Sequence, residues 1–383
     1  MPDKHAKLSA SGAKKWLNCP LSVTLENSFP DESSPYAKEG TTAHALGELK
    51  LRLALGLMSA VEYNKEAAEL DTNEEMKEYI DGYRDFVLER YNGAKATTAD
   101  AVIKLEQRLD FSAWVPEGFG TGDVVIISEG LLEIIDLKYG AGVPVSAENN
   151  PQLRLYGLGA VYKYDYLYNL EKIKMTIYQP RLDHISSEEL SWDELRQWAA
   201  EIGPKAQAAY DGVGQCNAGK HCDDGFCKAR PVCRTYAQER SRLAALEFAR
   251  PDTLTDEEIA EVIDQSERLT TWAKLVKDYA LAQALNGKSY PGFKVVEGRS
   301  NRTYCGSEAE IEQILNDSGY REDEIINRKL KGITDLEKLM GKSKFNTLIG
   351  SYITKPQGKP VLVHTDDKRP AIGSASSAMQ DFK

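Results

Sequence analysis

Residues 121–139, TGDVVIISEGLLEIIDLKY, restrict the fold more than any other stretch of the chain. Two apolar, β-branched runs, residues 124–128 and 131–137, flank Glu129-Gly130. Strand-forming residues on both sides of a two-residue, Gly-containing break predict an antiparallel hairpin. Pairing outward from the turn sets Ser128 against Leu131, Val124 against Ile135, and Asp123 against Asp136. Directly opposed residues have Cβ atoms about 5 Å apart, where like charges repel. The side-chain period of two puts Lys138 on the face of Asp136. Two carboxylates and an ammonium therefore meet at one end of an otherwise apolar hairpin.

Facing carboxylates in an apolar setting need a cation or a shared proton. Their hard oxygens suit Mg²⁺ or Mn²⁺, and a neighbouring lysine can orient a water or stabilise charge developing on a phosphate. Read alone, Asp-x-Lys is more often the solvated end of a hairpin with an ordinary ion pair, because short motifs match by chance. The residues that follow add weight. Asn149-Asn150-Pro151 predicts a helix start with Pro151 at the first helical position, and Gln152 and Tyr156 then share one helix face.

Asp123, Asp136-x-Lys138 and Gln152-x-x-x-Tyr156 together resemble the PD-(D/E)XK nuclease signature in its RecB-like form, most of all in an uncharacterised phage-encoded group. The resemblance spans roughly residues 8–236 and weakens beyond. It implies two-metal phosphodiester hydrolysis on a restriction-endonuclease-like core sheet flanked by helices. It also implies roles: His44, Asp123 and Asp136 as Mg²⁺ or Mn²⁺ ligands helped by the Leu137 carbonyl, Lys138 positioning the attacking water, and Gln152 and Tyr156 orienting Lys138 or the DNA backbone.

The rest of the chain is compatible with such a core. A hydrophobic content of 42% over 383 residues allows one large domain or two smaller ones. No apolar run reaches membrane-spanning length and residues 1–10 hold no signal-like segment, so a soluble, cytoplasmic protein is expected, here of a phage-infected or prophage-bearing bacterial host. The net charge of −11 argues against a protein that coats nucleic acid nonspecifically and weighs against a nuclease too, although metal ions that neutralise the scissile phosphate let an acidic enzyme cut DNA. The charge is uneven: residues 288–383 hold 16 Lys and Arg against 13 Asp and Glu, the remainder 32 against 46.

In chain order, LSAS leads into a short helix over GAKKWLNCP, with Ser9 or Ser11 as N-cap and Pro20 as its end. Residues 39–55 predict a helix carrying His44 and Glu48 on one face. Residues 62–95 predict one or two surface helices, 101–109 a strand, 172–180 another, and Ser191-x-x-Glu194 a capping box. This is an α/β (α+β) pattern. Thr255-x-x-Glu258 and Ser307-x-x-Glu310 open further helices, PGFKVVEGRSNRTY predicts a strand, and LEKLMGKSKFNTLI a helix. The expected division is a nuclease core over 1–240, a helical region over 241–360, and an extended or disordered tail over 361–383. Arg299, Arg302, Lys342, Lys344, Lys355 and Lys359 are phosphate-contact candidates or simply a solvated basic face.

Four cysteines fall between residues 216 and 233: Cys216, Cys222, Cys227 and Cys233. Clustered cysteines in a cytosolic chain point to a metal or cluster site. LSAS followed by Cys19-Pro20 resembles the N-terminal signature of iron–sulfur RecB-type nucleases, which implies a [4Fe–4S] cluster on Cys19, Cys222, Cys227 and Cys233. The four residues between Cys222 and Cys227 exceed the usual first gap of two, leaving Cys216 as a substitute ligand. A local zinc site on Cys216, Cys222, Cys227 and Cys233 is the rival. Cys305 stands apart as a plain thiol.

Three functions fit. The first is a metal-dependent DNA nuclease, an exonuclease or flap-trimming enzyme of phage-type recombination, replication or repair. It would act on single-stranded DNA or duplex ends, alongside an annealing protein, a single-strand-binding protein or a separate helicase. The second is a non-catalytic DNA-binding or assembly module. The third is a zinc-stabilised adaptor. No Walker A motif supports a motor within the chain.

Overall fold

The structure, a computed structural model, describes residues 6–30, 35–241, 255–297, 305, 307–327 and 329–354. Five helices come first: α1 (Ala13–Asn18), α2 (Ser22–Glu26), α3 (Pro35–Ala54), α4 (Ala60–Ala67) and α5 (Glu74–Thr97). Strands β1 (Val102–Asp110), β2 (Phe119–Ser128) and β3 (Leu131–Leu137) follow. Helix α6 (Pro151–Tyr168) then crosses to β4 (Lys172–Gln179), β5 (His184–Ser191) and α7 (Trp192–Asp211). The five strands form one mixed sheet in sequence order, with β3 and β4 parallel and every other pair antiparallel. The architecture is a mixed α/β sheet flanked by helices.

The hairpin register is the one its sequence predicts, Ser128 against Leu131 and Val124 against Ile135, with Gly130 supplying the turn's positive φ of 73°. Both of its faces are covered. Val125, Ile127, Leu132 and Ile134 pack with α1, α6 and α7, while Val124, Ile126, Ile135 and Leu137 pack with α3 and α5. That double coverage is why these strands read as continuous apolar runs rather than alternating ones.

Helix α5 is more than the surface helix its charge predicts. Met76, Ile80, Tyr83 and Val87 form a stripe at helical spacing that is buried against the sheet, and the charges occupy the other faces. Strand β5 escapes the sequence reading because HISSEELS is polar; it survives as a half-exposed edge. Glu188 there accepts from Arg154 of α6 at 2.6 Å and from the Asn149 N–H at 2.9 Å.

Beyond α7 come α8 (Lys220–Asp224), α9 (Arg234–Arg240), α10 (Asp256–Leu285), α11 (Glu308–Asp317), α12 (Glu322–Ile325), α13 (Ile333–Met340) and α14 (Lys342–Ile349). The single helix expected over LEKLMGKSKFNTLI is two, because Gly341 at φ 79° breaks it. No strand forms over residues 291–297, the described part of PGFKVVEGRSNRTY. Helix α13 packs on α5, Phe345 is buried, and the Lys342 N–H donates to Glu78 at 2.8 Å. Lys342 and Lys344 themselves are exposed. Arg299, Arg302, Lys355, Lys359 and the tail over 361–383 lie outside the described residues. Among the described residues no helix is long and apolar enough to cross a membrane.

Candidate functional site

The site forms where β1 and β2 exchange faces. Ile103 and Leu105 of β1 pack with α3 and α5, yet Leu109 is buried on the opposite face and Gln107 accepts from Tyr164 of α6 at 2.9 Å. Strand β2 switches at the matching place. A Cβ on Gly120 would meet the Tyr156 ring at 2.7 Å and one on Gly122 would meet Leu109 at 3.1 Å, both on the α6 face, whereas Val124 and Ile126 lie on the α3–α5 face. The pairs Leu105–Val124 and Gln107–Gly122 bracket the switch, so Glu106 and Asp123 stand across from each other. Glu106 makes the turn at φ 45°, a left-handed conformation costly for a residue with a Cβ.

The switch also ends the hairpin one pair early. The ladder between β2 and β3 stops at Val124–Ile135, and the Asp123 carboxylate accepts the Leu137 N–H at 2.7 Å. Asp123 and Asp136 are therefore not a directly hydrogen-bonded strand pair as expected from simple outward pairing. They remain neighbours on consecutive strands, coupled through charge.

From α3, His44 brings Nδ1 to 3.3 Å from Asp123 Oδ1. The ligand atoms of His44, Glu106 and Asp123 all lie within 4.8 Å of one another, and among the described residues no other three His, Cys, Asp or Glu come so close. Glu48, the other sequence candidate on this helix face, pairs with Arg52 at 3.0 Å instead. On the adjoining side Lys138 Nζ lies 2.8 Å from Asp136 Oδ2 and donates to Gln152 Oε1 at 3.2 Å. The Gln152 amide in turn donates to the Tyr156 hydroxyl at 3.2 Å and reaches Asp136 at 3.5 Å. Asn150 fixes this helix start by accepting the Gln152 N–H at 3.0 Å. The buried Gln179 clamps the preceding loop through Gly140, Val143 and Val145.

The electrostatics are those of a site short of positive charge. Burial lifts the Asp136 carboxyl, and the Asp123 charge adds to the lift against the pull of Lys138. Burial also raises Asp123, but the His44 ring and the Leu137 N–H outweigh it and hold that carboxyl below the usual range. Burial acts to lower His44, and Asp123 more than reverses this, to about 9. Glu106 is pushed up to about 7 by burial and by Asp123. Lys138 is raised by Asp136 despite its burial. Protons thus gather where a cation would neutralise the same carboxylates. An oxygen-rich donor set with one imidazole fits Mg²⁺ or Mn²⁺. Beneath it, Tyr83 packs its ring against Gly47 of α3, and its buried hydroxyl has no hydrogen-bond partner among the described residues.

The cysteines gather at the other end of α1. Cys19, Cys222, Cys227 and Cys233 line one cavity with His221, Tyr236, Lys15 and Arg230. All are free thiols, and burial pushes Cys227 up to about 12. Cys216 does not line this cavity but lies beside Cys19 and Cys233. Polar contacts already join the two segments: Lys14 to Asp224 at 2.7 Å, the Asn217 amide to the Asn18 carbonyl at 2.9 Å, and the Lys228 N–H to Glu26 at 2.8 Å. Cys305 is an exposed free thiol.

A family model described as "Protein of unknown function (DUF2800)" matches residues 5–370. The chain belongs to that family. A solved structure described as "Crystal structure of SSO0001" aligns at 14% identity over 62% of this chain and 90% of that one, with a TM-score of 0.26, too low to carry an argument. In this DUF2800 chain the one site residue that sequence reasoning missed is Glu106. Its strand alternates Ile103, Leu105, Leu109 without a visible break, so nothing in β1 alone marks the switch. Only the pairing with β2, and the glycines at 120 and 122 that admit Tyr156 and Leu109, reveal it.

Proposed function

We propose that this protein is a metal-dependent deoxyribonuclease with a PD-(D/E)XK-type core of the RecB-like branch, hydrolysing phosphodiester bonds as an exonuclease. The observation that carries this reading is the convergence at one sheet end of His44, Glu106 and Asp123 with the Asp136–Lys138–Gln152 chain. His44, Asp123 and Asp136, joined by Glu106, would hold Mg²⁺ or Mn²⁺. A divalent ion there supplies charge for the phosphate oxygens and lowers the pKa of a bound water. Lys138, held by Asp136 and Gln152, presents a fixed N–H to the attacking water and to charge developing on the phosphate. Gln152, itself bonded to the Tyr156 hydroxyl, gives that ammonium a second anchor beside Asp136.

The reading includes a [4Fe–4S] cluster on Cys19, Cys222, Cys227 and Cys233 as a structural clamp. Thiolates are the ligands it needs, and Lys15 and Arg230, paired with Glu26 at 2.7 Å and Asp223 at 3.3 Å, stand on the cavity wall.

End-labelled single- and double-stranded DNA, incubated with Mg²⁺, Mn²⁺ or EDTA, tests the proposal. Divalent-dependent shortening is expected, and intact DNA under all conditions overturns it. In the same assay Lys138→Ala is expected to lower turnover about a hundredfold or more, with DNA affinity changed no more than about threefold. Equal losses in both would make Lys138 a plain phosphate contact.

A further inference from the structure

Past the face switch, β1 and β2 continue as a two-stranded ribbon. Gln107 and Leu109 face α6, so Arg108 lies on the opposite face, with Glu106 and the other members of the His44 group. Gly120 and Gly122 likewise face α6, which leaves Phe119 and Thr121 on the Arg108 side. Arg108 pairs in register with Thr121, and its guanidinium carbon sits 3.7 Å from the centre of the Phe119 ring.

Arg108 is exposed, and no carboxylate lies within ion-pair distance of its guanidinium among the described residues. Asp110, two residues along the strand, feels the Arg108 charge without pairing with it and accepts the Ser112 N–H at 2.8 Å. An arginine held flat on an aromatic ring keeps its outward N–H groups free and loses little rotamer freedom on engaging an anion. Arg108 lies two residues along β1 from Glu106, a backbone step of about 6.6 Å at 3.3 Å per residue. Its guanidinium rests on Phe119, the register partner of Asp110, so the cation stands farther from the His44 group than that step.

Resting on the proposed nuclease reading, the geometry points to Arg108 and Phe119 as a nucleotide clamp: Arg108 holds a backbone phosphate beyond the one at the His44–Glu106–Asp123 group, and Phe119 supports the adjoining base or sugar. The ligand is single-stranded DNA at its end. In a chain of net charge −11, a locally unpaired cation beside the carboxylates gives an incoming phosphate a foothold that the overall field does not. The alternative role for Arg108 is to guard the edge strand, since β1 closes one side of the sheet. A guard residue affects self-association and not DNA affinity.

Fluorescence anisotropy of a labelled oligothymidylate, with Ca²⁺ replacing Mg²⁺ so that the strand stays intact, separates these roles. The full-length protein is compared with Arg108→Gln and Phe119→Leu over a range of salt. Arg108→Gln is expected to weaken binding about tenfold and to reduce the log–log salt slope by about 0.7, one phosphate contact on a single strand. Phe119→Leu is expected to weaken binding about fivefold with the slope unchanged, as for loss of one stacking contact. Both variants binding as the wild type does overturns the clamp alone, whether or not Arg108→Gln self-associates. A wild type that binds no DNA overturns the nuclease reading and the clamp with it.

Discussion

Asp136→Ala is expected to lower hydrolysis on the order of a thousandfold while leaving the folded protein at least as stable as the wild type in the absence of divalent ions. The activity loss follows from removing both a ligand and the partner that fixes Lys138, a scale typical of losing a preorganised electrostatic contact. The stability follows from the direction of the carboxyl's shift. Asp136 is raised by burial and by Asp123 even with Lys138 2.8 Å away, so its whole surroundings disfavour its charged form. An acid raised on folding binds its proton more tightly in the folded state. Its charge therefore costs stability progressively as pH rises from the unfolded value, and in full only above the folded one. Truncation removes the cost, and the freed Lys138, partly exposed, can turn to water. Thermal unfolding with and without Mn²⁺ checks this. The wild type should gain stability on adding Mn²⁺, and the variant should start no lower and gain little. A variant that retains full hydrolysis removes Asp136 from the site.

The hairpin register, the N-cap at Asn150, the Gln152–Tyr156 pair and the capping boxes at Ser191, Thr255 and Ser307 were legible because each is a local rule with a short reach. What was not legible depends on two strands at once. Asp123 alternates out of step with its own hairpin because Glu106, on a strand separated by a loop, turns at φ 45° beside it. Asp123 therefore meets His44 of α3, while Asp136 keeps to the α6 side with Lys138 and Gln152. Outward pairing from the turn could bring the two carboxylates together but could not show that they divide between two faces. Strand β5 was missed for another reason: an edge strand with a solvated face needs few apolar residues, and HISSEELS carries its pairing in backbone hydrogen bonds. Helix α5 was misjudged in the other direction, since charge on three faces hides a buried stripe.

Cys19→Ser should have the largest effect on the protein as a whole. If Cys19, Cys222, Cys227 and Cys233 hold a [4Fe–4S] cluster, protein purified without oxygen is brown with about four irons per chain. The serine variant should be colourless and unfold at markedly lower temperature. Residue 19 meets the other three only through the folded structure, and a crosslink closing a loop of about 200 residues is worth on the order of 5 kcal/mol in chain entropy. Of the contacts that remain, Lys14 with Asp224 and Asn217 with Asn18 are exposed and replace little of that, while the part-buried bond from the Lys228 N–H to Glu26 replaces somewhat more. On the cluster reading Cys216→Ser should keep both iron and stability, even though Cys216 lies beside Cys19 and Cys233. A zinc site on residues 216–233 reverses the pattern: Cys216→Ser releases the metal, and Cys19→Ser costs only a little packing. Metal analysis and thermal unfolding of these two variants decide the matter. Stoichiometric zinc retained in Cys19→Ser would end the cluster assignment, and the residual stability of that variant would then measure how far the polar contacts between α1 and α8 hold the two ends of the core together on their own.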